Sequence, residues 1–108
     1  LKSKDETYAF PNPFSPDAEV CKIKFNINST SDDITIRIMD FGMNLVRTVL
    51  QNAPYSIAGD NIAVWDGRDE NGKIVPNGVY FYRIDKGDND PIFGKIIVLM
   101  WLGGNFEI

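Results

Sequence analysis

Histidine is absent from this 108-residue chain, and cysteine occurs once. Without an imidazole the chain lacks the commonest metal ligand, the neutral-pH general base of Ser and Cys triads, and the simplest protonation switch. A lone Cys21 excludes any intrachain disulfide. No apolar run approaches the roughly 20 residues of a membrane-spanning helix; the longest, Ile96 to Leu102, is strand-sized, so a soluble domain with no membrane span is expected. Basic clusters are missing as well. Against 15 Asp and Glu stand 11 Lys and Arg, a net charge of -4, and no patch is equipped to neutralise a phosphate backbone, so no nucleic-acid partner is expected. No targeting peptide is visible, and the chain opens on Leu1 rather than Met, which reads as an excised module or a processed product.

What is present is two-residue periodicity. In Cys21-Lys22-Ile23-Lys24-Phe25-Asn26-Ile27 the apolar residues share one face and the polar ones the other, as a sheet with one buried side requires. Ile34, Ile36 and Ile38 repeat the pattern after the polar connection 28–33. Asp40 to Asn44 supplies turn chemistry before a short third strand, Leu45 to Leu50. Residues 51–61, with Pro54 and Gly59, read as a long link crossing toward a second sheet, followed by a short strand, Ile62 to Trp65. Turn cues then crowd at Asp66-Gly67, at Asp69 to Lys73 and at Pro76-Asn77-Gly78, leaving no room for a helix. Val79 to Ile84, aromatic and β-branched, predicts a central strand, and Lys95 to Met100 its hairpin partner across a charged loop. With an edge strand around Tyr8 and Phe10 the total is about seven.

Seven short strands without helical periodicity predict an all-β fold: an immunoglobulin-like or fibronectin-like sandwich of two antiparallel sheets. The expected layout is a linker at 1–7, the sandwich at 8–100 and a tail or linker at 101–108. Cys21, Ile23, Phe25, Ile27, Ile34, Ile36, Ile38, Trp65, Tyr80 and Tyr82 are the expected core, the large rings filling the gap between sheets. Asn12-Pro13-Phe14-Ser15-Pro16 predicts a rigid stretch outside the ladders, with Phe10 or Phe14 as a lid and the prolines discouraging strand addition.

Chemistry has few places to reside. Asp66, Asp69 and Glu70 are the densest carboxylates, but they sit in glycine-flanked turns where such groups cap their own backbone, so no catalytic pair is assigned. The same turns offer hard oxygen ligands for calcium, from Asp66, Asp69 and Asn71 or from Asp85, Asp88 and Asp90; neither set has the helix-flanked spacing of a strong calcium loop, and no cofactor is expected. Gly42, Gly67, Gly72 and Gly78 are turn residues rather than a phosphate cradle, lacking the strand-to-helix context of one. Cys21 reads as a small buried hydrophobe rather than a nucleophile. Tyr55, Trp101 and Phe106, which alternation does not place inside, are the candidate interaction residues, for sugar rings or a neighbouring surface. Edge strands or the tail are the routes to an oligomer.

Several stretches in order carry a family resemblance: Asn12 to Pro16, Ile23 to Ile27, Ile36 to Arg47, Trp65 to Gly72, Val75 to Arg83 and Lys95 to Leu99. Together, from about Tyr8 to Met100, they resemble the immunoglobulin-like domain first named for the flagellar hook-capping protein FlgD, and the related C-terminal sorting domains of the type IX secretion system. The resemblance implies a non-enzymatic bacterial module near the C-terminus of a larger exported or surface protein, its partners being neighbouring domains or a secretion component. In that family Trp65-Asp66-Gly67 and Asn77-Gly78-Val79-Tyr80 are turn-and-strand signatures. Sorting domains usually end close to the last strand, whereas this chain continues from Trp101 to Ile108. The resemblance therefore implies structural support or type IX-like sorting, with carbohydrate binding and hook-cap assembly as alternatives.

Overall fold

In a computed structural model, which describes residues 7–27, 33–54, 59–87 and 90–100, seven strands follow one another: β1 (Tyr8–Phe10), β2 (Cys21–Ile27), β3 (Asp33–Met39), β4 (Leu45–Pro54), β5 (Gly59–Trp65), β6 (Gly78–Lys86) and β7 (Ile92–Val98). Three form one sheet in the order β1-β2-β5, and four form the other in the order β4-β3-β6-β7. Every strand pairing is antiparallel. The result is an immunoglobulin-like or fibronectin-like sandwich, with no helix among the described residues.

Alternation decides which face is buried. Along β2, Cys21, Ile23, Phe25 and Ile27 are each at most 2% exposed, while Lys22 faces water. Ile34, Ile36 and Ile38 of β3 meet them from the opposite sheet, beside Tyr80, Tyr82 and Ile84 of β6. Ala63, Val75, Ile96 and Val98 complete the core. Each fully buried aliphatic or aromatic side chain stabilises the fold by roughly 2 kcal/mol relative to exposure, and their sum opposes the chain's conformational entropy. Trp65 stands at the centre of an aromatic row, its ring centroid 5.6 Å from that of Phe14 and 5.7 Å from that of Tyr80, both edge-on.

The strand boundaries depart from expectation in β4 and β5. β4 does not stop at Leu50 but continues to Pro54, and β5 begins at Gly59 rather than Ile62, so much of the anticipated link is ladder. The polar Gln51 and Asn52 belong to a bulged edge strand: the register with β3 shifts between Ile34 and Ile36, and Asn52 absorbs the shift at φ 48. Its amide donates to Thr35 Oγ1 at 3.0 Å, satisfying a buried hydroxyl on the outer face of β3. β7 likewise runs from Ile92 to Val98 rather than from Lys95 to Met100.

The N-terminal proline segment also differs. Of the two candidate lids, Phe14 is the buried one at 1%, and Phe10 is 37% exposed. The segment was expected to avoid the ladders, yet Phe14 N–H donates to Ile97 O and Leu99 N–H to Phe14 O, both at 2.9 Å, in a parallel bridge to Val98. Asn12 extends this bridge with its side chain: Nδ2 donates to Lys95 O and Oδ1 accepts from Ile97 N, both at 2.8 Å. An amide side chain here supplies the donor and acceptor that a strand backbone would, beside two prolines that have no N–H. Asn12→Ala is expected to destabilise the domain by about 1–2 kcal/mol and to accelerate exchange at the Ile97 amide specifically. Native-state hydrogen exchange measures both effects, and unchanged Ile97 protection would contradict the assignment.

Candidate functional site

Among the described residues, a concavity lies at the end of the sandwich where the β3–β4 turn meets the turns between β5 and β6. It is a cleft of about 400 Å³ lined by Asp40, Leu45, Val46, Asp69, Glu70, Asn71, Val75, Pro76 and Tyr80. Its floor is part of the core: Tyr80 is 6% exposed, and its hydroxyl donates to Pro76 O at 2.7 Å, tying β6 to the preceding turn as tyrosine corners do in such sandwiches. Burial, and secondarily the charge of Asp40, raises the pKa of that phenol and so makes it a weaker acid.

Each carboxylate on the rim accepts from backbone amides, in its own turn or across the junction. Asp40 accepts from Asn44 N at 2.9 Å, closing a turn in which Met43 adopts φ 68. That bond chiefly holds the Asp40 carboxyl below its ordinary range. Asp69 Oδ1 accepts from Asn71 N at 2.9 Å and from Lys73 N at 3.0 Å. Glu70 reaches across to the edge of β4, its carboxylate accepting from Thr48 N at 2.8 Å and its amide donating to Val46 O at 3.1 Å. Arg47 completes the junction, placing its guanidinium 3.4 Å from Asp66 Oδ1 and donating to Arg68 O and Asp69 O. The loop is thus docked on an edge strand, a role for Arg47 and Glu70 that sequence spacing did not reveal. Only the coincidence of an arginine on β4 with the Asp-Gly-Arg-Asp-Glu turn hinted at it.

The calcium candidates are dispersed. Asp66 faces a separate hollow of about 140 Å³ with Arg47, Val49, Val64 and Trp65, whereas Asp69 and Asn71 line the cleft. Asp66 Oδ1 also accepts from Arg68 N at 3.1 Å. Asp85 lies between two guanidinium groups, 3.0 Å from Arg83 and 3.4 Å from Arg37, which supply the positive charge a cation would otherwise bring. Asp90 is exposed, and Asp88 lies outside the described residues. No group of three or more Cys, Asp or Glu side chains suited to a metal ion gathers among the described residues.

Trp65 is core rather than platform: it is 1% exposed, and its Nε1–H donates to Arg68 O at 3.0 Å. Gly67, at φ 78, allows the turn beneath it to close, since a Cβ there would sit 2.6 Å from Pro16 Cγ. Tyr55, Trp101 and Phe106 lie outside the described residues.

Cys21 is fully buried, and desolvation, with a smaller contribution from the Glu19 charge, pushes its thiol from 9.0 up to about 12. The thiol is expected to react with a water-soluble disulfide reagent at pH 8 on the order of a hundredfold more slowly in the folded protein than in denaturant. Because the folded value is the higher one, the stability tied to this group is complete below pH 9 and is lost as pH rises toward 12. Alkaline urea melts at stepped pH measure that decline.

Fold and site together define an immunoglobulin-like β-sandwich module in which charged side chains brace turns. A family model described as the FlgD Ig-like domain matches residues 14–90, and the chain belongs to that family. Among solved structures it is similar to PorZ, an essential bacterial surface component of the type-IX secretion system of Porphyromonas gingivalis, with a TM-score of 0.62 and 18% identity. That match covers 86% of this chain and 11% of the PorZ chain, so the likeness is one of fold to a small part of a much longer protein. No curated protein matches the chain.

Proposed function

We propose that this chain is a non-catalytic accessory domain of a larger exported bacterial protein, acting in structural support or in type IX-like sorting and presentation at the cell surface. The observation that carries the reading is the match of the sandwich to a tenth of a secretion-system surface component, within a family of immunoglobulin-like modules. The chemistry of the domain agrees with it. Carboxylates and guanidinium groups are engaged with the protein's own turns, and the core runs through to the floor of the cleft.

Deleting residues 8–100 from the parent protein, in its own bacterium, tests the proposal. The expected result is loss of export or surface display while any activity of the remaining protein persists in lysates. Normal secretion, display and stability of the truncated protein would overturn it. Three exposed aromatics give the carbohydrate-binding alternative little support: Lys24 lies over the Tyr8 ring at 5.1 Å, Lys22 over Phe10 at 5.9 Å and Arg83 over Phe93 at 5.8 Å, on faces a sugar would need, while Phe41, 74% exposed, lies against Phe81 at 6.1 Å.

A further inference from the structure

The cleft between the β3–β4 turn and the β5–β6 turns has apolar walls, Leu45, Val46, Val75 and Pro76, over a floor of Tyr80. Leu45 is exposed, as are Phe41 and Met43 on the adjoining turn. A volume of about 400 Å³ falls in the range of ligand clefts, which are typically apolar with a few directed polar groups. Here the polar groups all carry one sign. Asp40, Asp69 and Glu70 stand on the rim, and none of them is ion-paired among the described residues, where Arg47 pairs with Asp66 instead. Asp69 accepts through Oδ1 and Glu70 through Oε2, which leaves Asp69 Oδ2 and Glu70 Oε1 without a partner among those residues. The topology narrows what could lie there. β2, β4 and β6 all end at the opposite end of the sandwich and β1 begins toward it, so beyond the described residues only the sequence after Met100 continues from the cleft end. That sequence, Trp101 to Ile108, holds Glu107 and neither Lys nor Arg, so it cannot supply the missing charge.

We propose that this cleft receives a cationic, partly apolar segment of a partner protein, with the stem of an arginine or lysine along its apolar walls and the charged head at Asp69 and Glu70. Charge complementarity selects this occupant. The long stem of such a side chain covers apolar surface while its head stays among anions and water. Arginine fits best, because its planar fork donates to two carboxylate oxygens at once. The carboxylates are already held by the backbone amides that donate to their other oxygens, so ordering them on binding costs little. An apolar neighbour in the same segment would cover Phe41 and Met43. The contact serves a supporting or a sorted module alike and rests on neither role.

Titration of the isotope-labelled whole chain with a capped pentapeptide of alternating leucine and arginine, followed by amide chemical shifts, tests the proposal. Saturable shifts of Leu45, Glu70, Asn71 and Val75 are expected at millimolar peptide or below, with affinity falling at least about threefold between about 20 and about 200 mM salt. The same peptide with glutamate in place of arginine is expected to leave those amides unmoved. Asp40→Asn/Asp69→Asn/Glu70→Gln keeps an accepting oxygen at each position, so the turns stay capped, and is expected to weaken binding at least about tenfold. Leu45→Ser, at an exposed position, leaves all three carboxylates in place and is expected to weaken it about threefold. Unmoved cleft amides, an equal response to both peptides, or an affinity indifferent to loss of the three charges or of the Leu45 side chain would overturn the proposal. So would shifts of the 101–108 amides as large as those of the cleft, which would mark the chain's own tail as the segment displaced.

Discussion

Gly94→Ala is expected to destabilise the domain by about 3 kcal/mol, although position 94 has no side chain and is not in a left-handed conformation. Gly94 lies directly opposite Tyr82 in the β6–β7 register, and the Tyr82 ring occupies the space a side chain at 94 would need. A Cβ there would stand 2.1 Å from Cζ and 2.3 Å from both Cε2 and the hydroxyl oxygen. The ring has no easy retreat. It is 1% exposed, and its hydroxyl is 3.0 Å from Thr7 Oγ1, which in turn donates to Lys24 O in the other sheet. Urea unfolding of Gly94→Ala in the wild-type and Tyr82→Leu backgrounds measures the coupling. If the clash is the cause, the alanine costs much less once the ring is gone, whereas an equal cost in both backgrounds would refute it.

Trp65→Ala is expected to cost about 4 kcal/mol, a large share of the roughly 5–15 kcal/mol that holds a domain of this size together. The indole touches Phe14 on one side and Tyr80 on the other, so its removal opens a cavity shared by the N-terminal segment, β5 and β6. It also strands Arg68 O, the acceptor of the Nε1–H. Trp65→Phe retains most of the ring packing and loses the hydrogen bond, for an expected cost of about 1–2 kcal/mol. Denaturant midpoints followed by far-ultraviolet circular dichroism separate the two variants. A Trp65→Ala protein as stable as wild type would place the indole outside the core.

Both effects show how much the residue pattern foretold. The Cys21 to Ile27 alternation was decisive because a one-residue slip would turn every apolar side chain of β2 into water. The indole of Trp65 was legible as core because a large ring at the inward end of a short strand has few other places to go. Gly94 was silent: within a run of residues it looks like a weakness in the strand, and only the cross-strand register shows it to be the space Tyr82 occupies. The second half of β4 was hidden because an edge strand tolerates the polar residues, bulge and terminal proline that a central strand would not. Asn12, Arg47 and Glu70 were invisible for another reason. Their partners lie 83, 21 and 22 residues away in the chain, and no local periodicity encodes such contacts.

The bridge between Phe14 and Val98 runs parallel, near opposite ends of the domain's sequence. In a module threaded between other parts of a longer polypeptide, tension entering before β1 and leaving after β7 would draw these two segments past each other lengthwise. The backbone bonds at Phe14 and the Asn12 side-chain bonds would then share the load and yield together rather than peel one by one. A short patch of sequence ahead of the first long strand thereby becomes the part of the sandwich best placed to resist stretching.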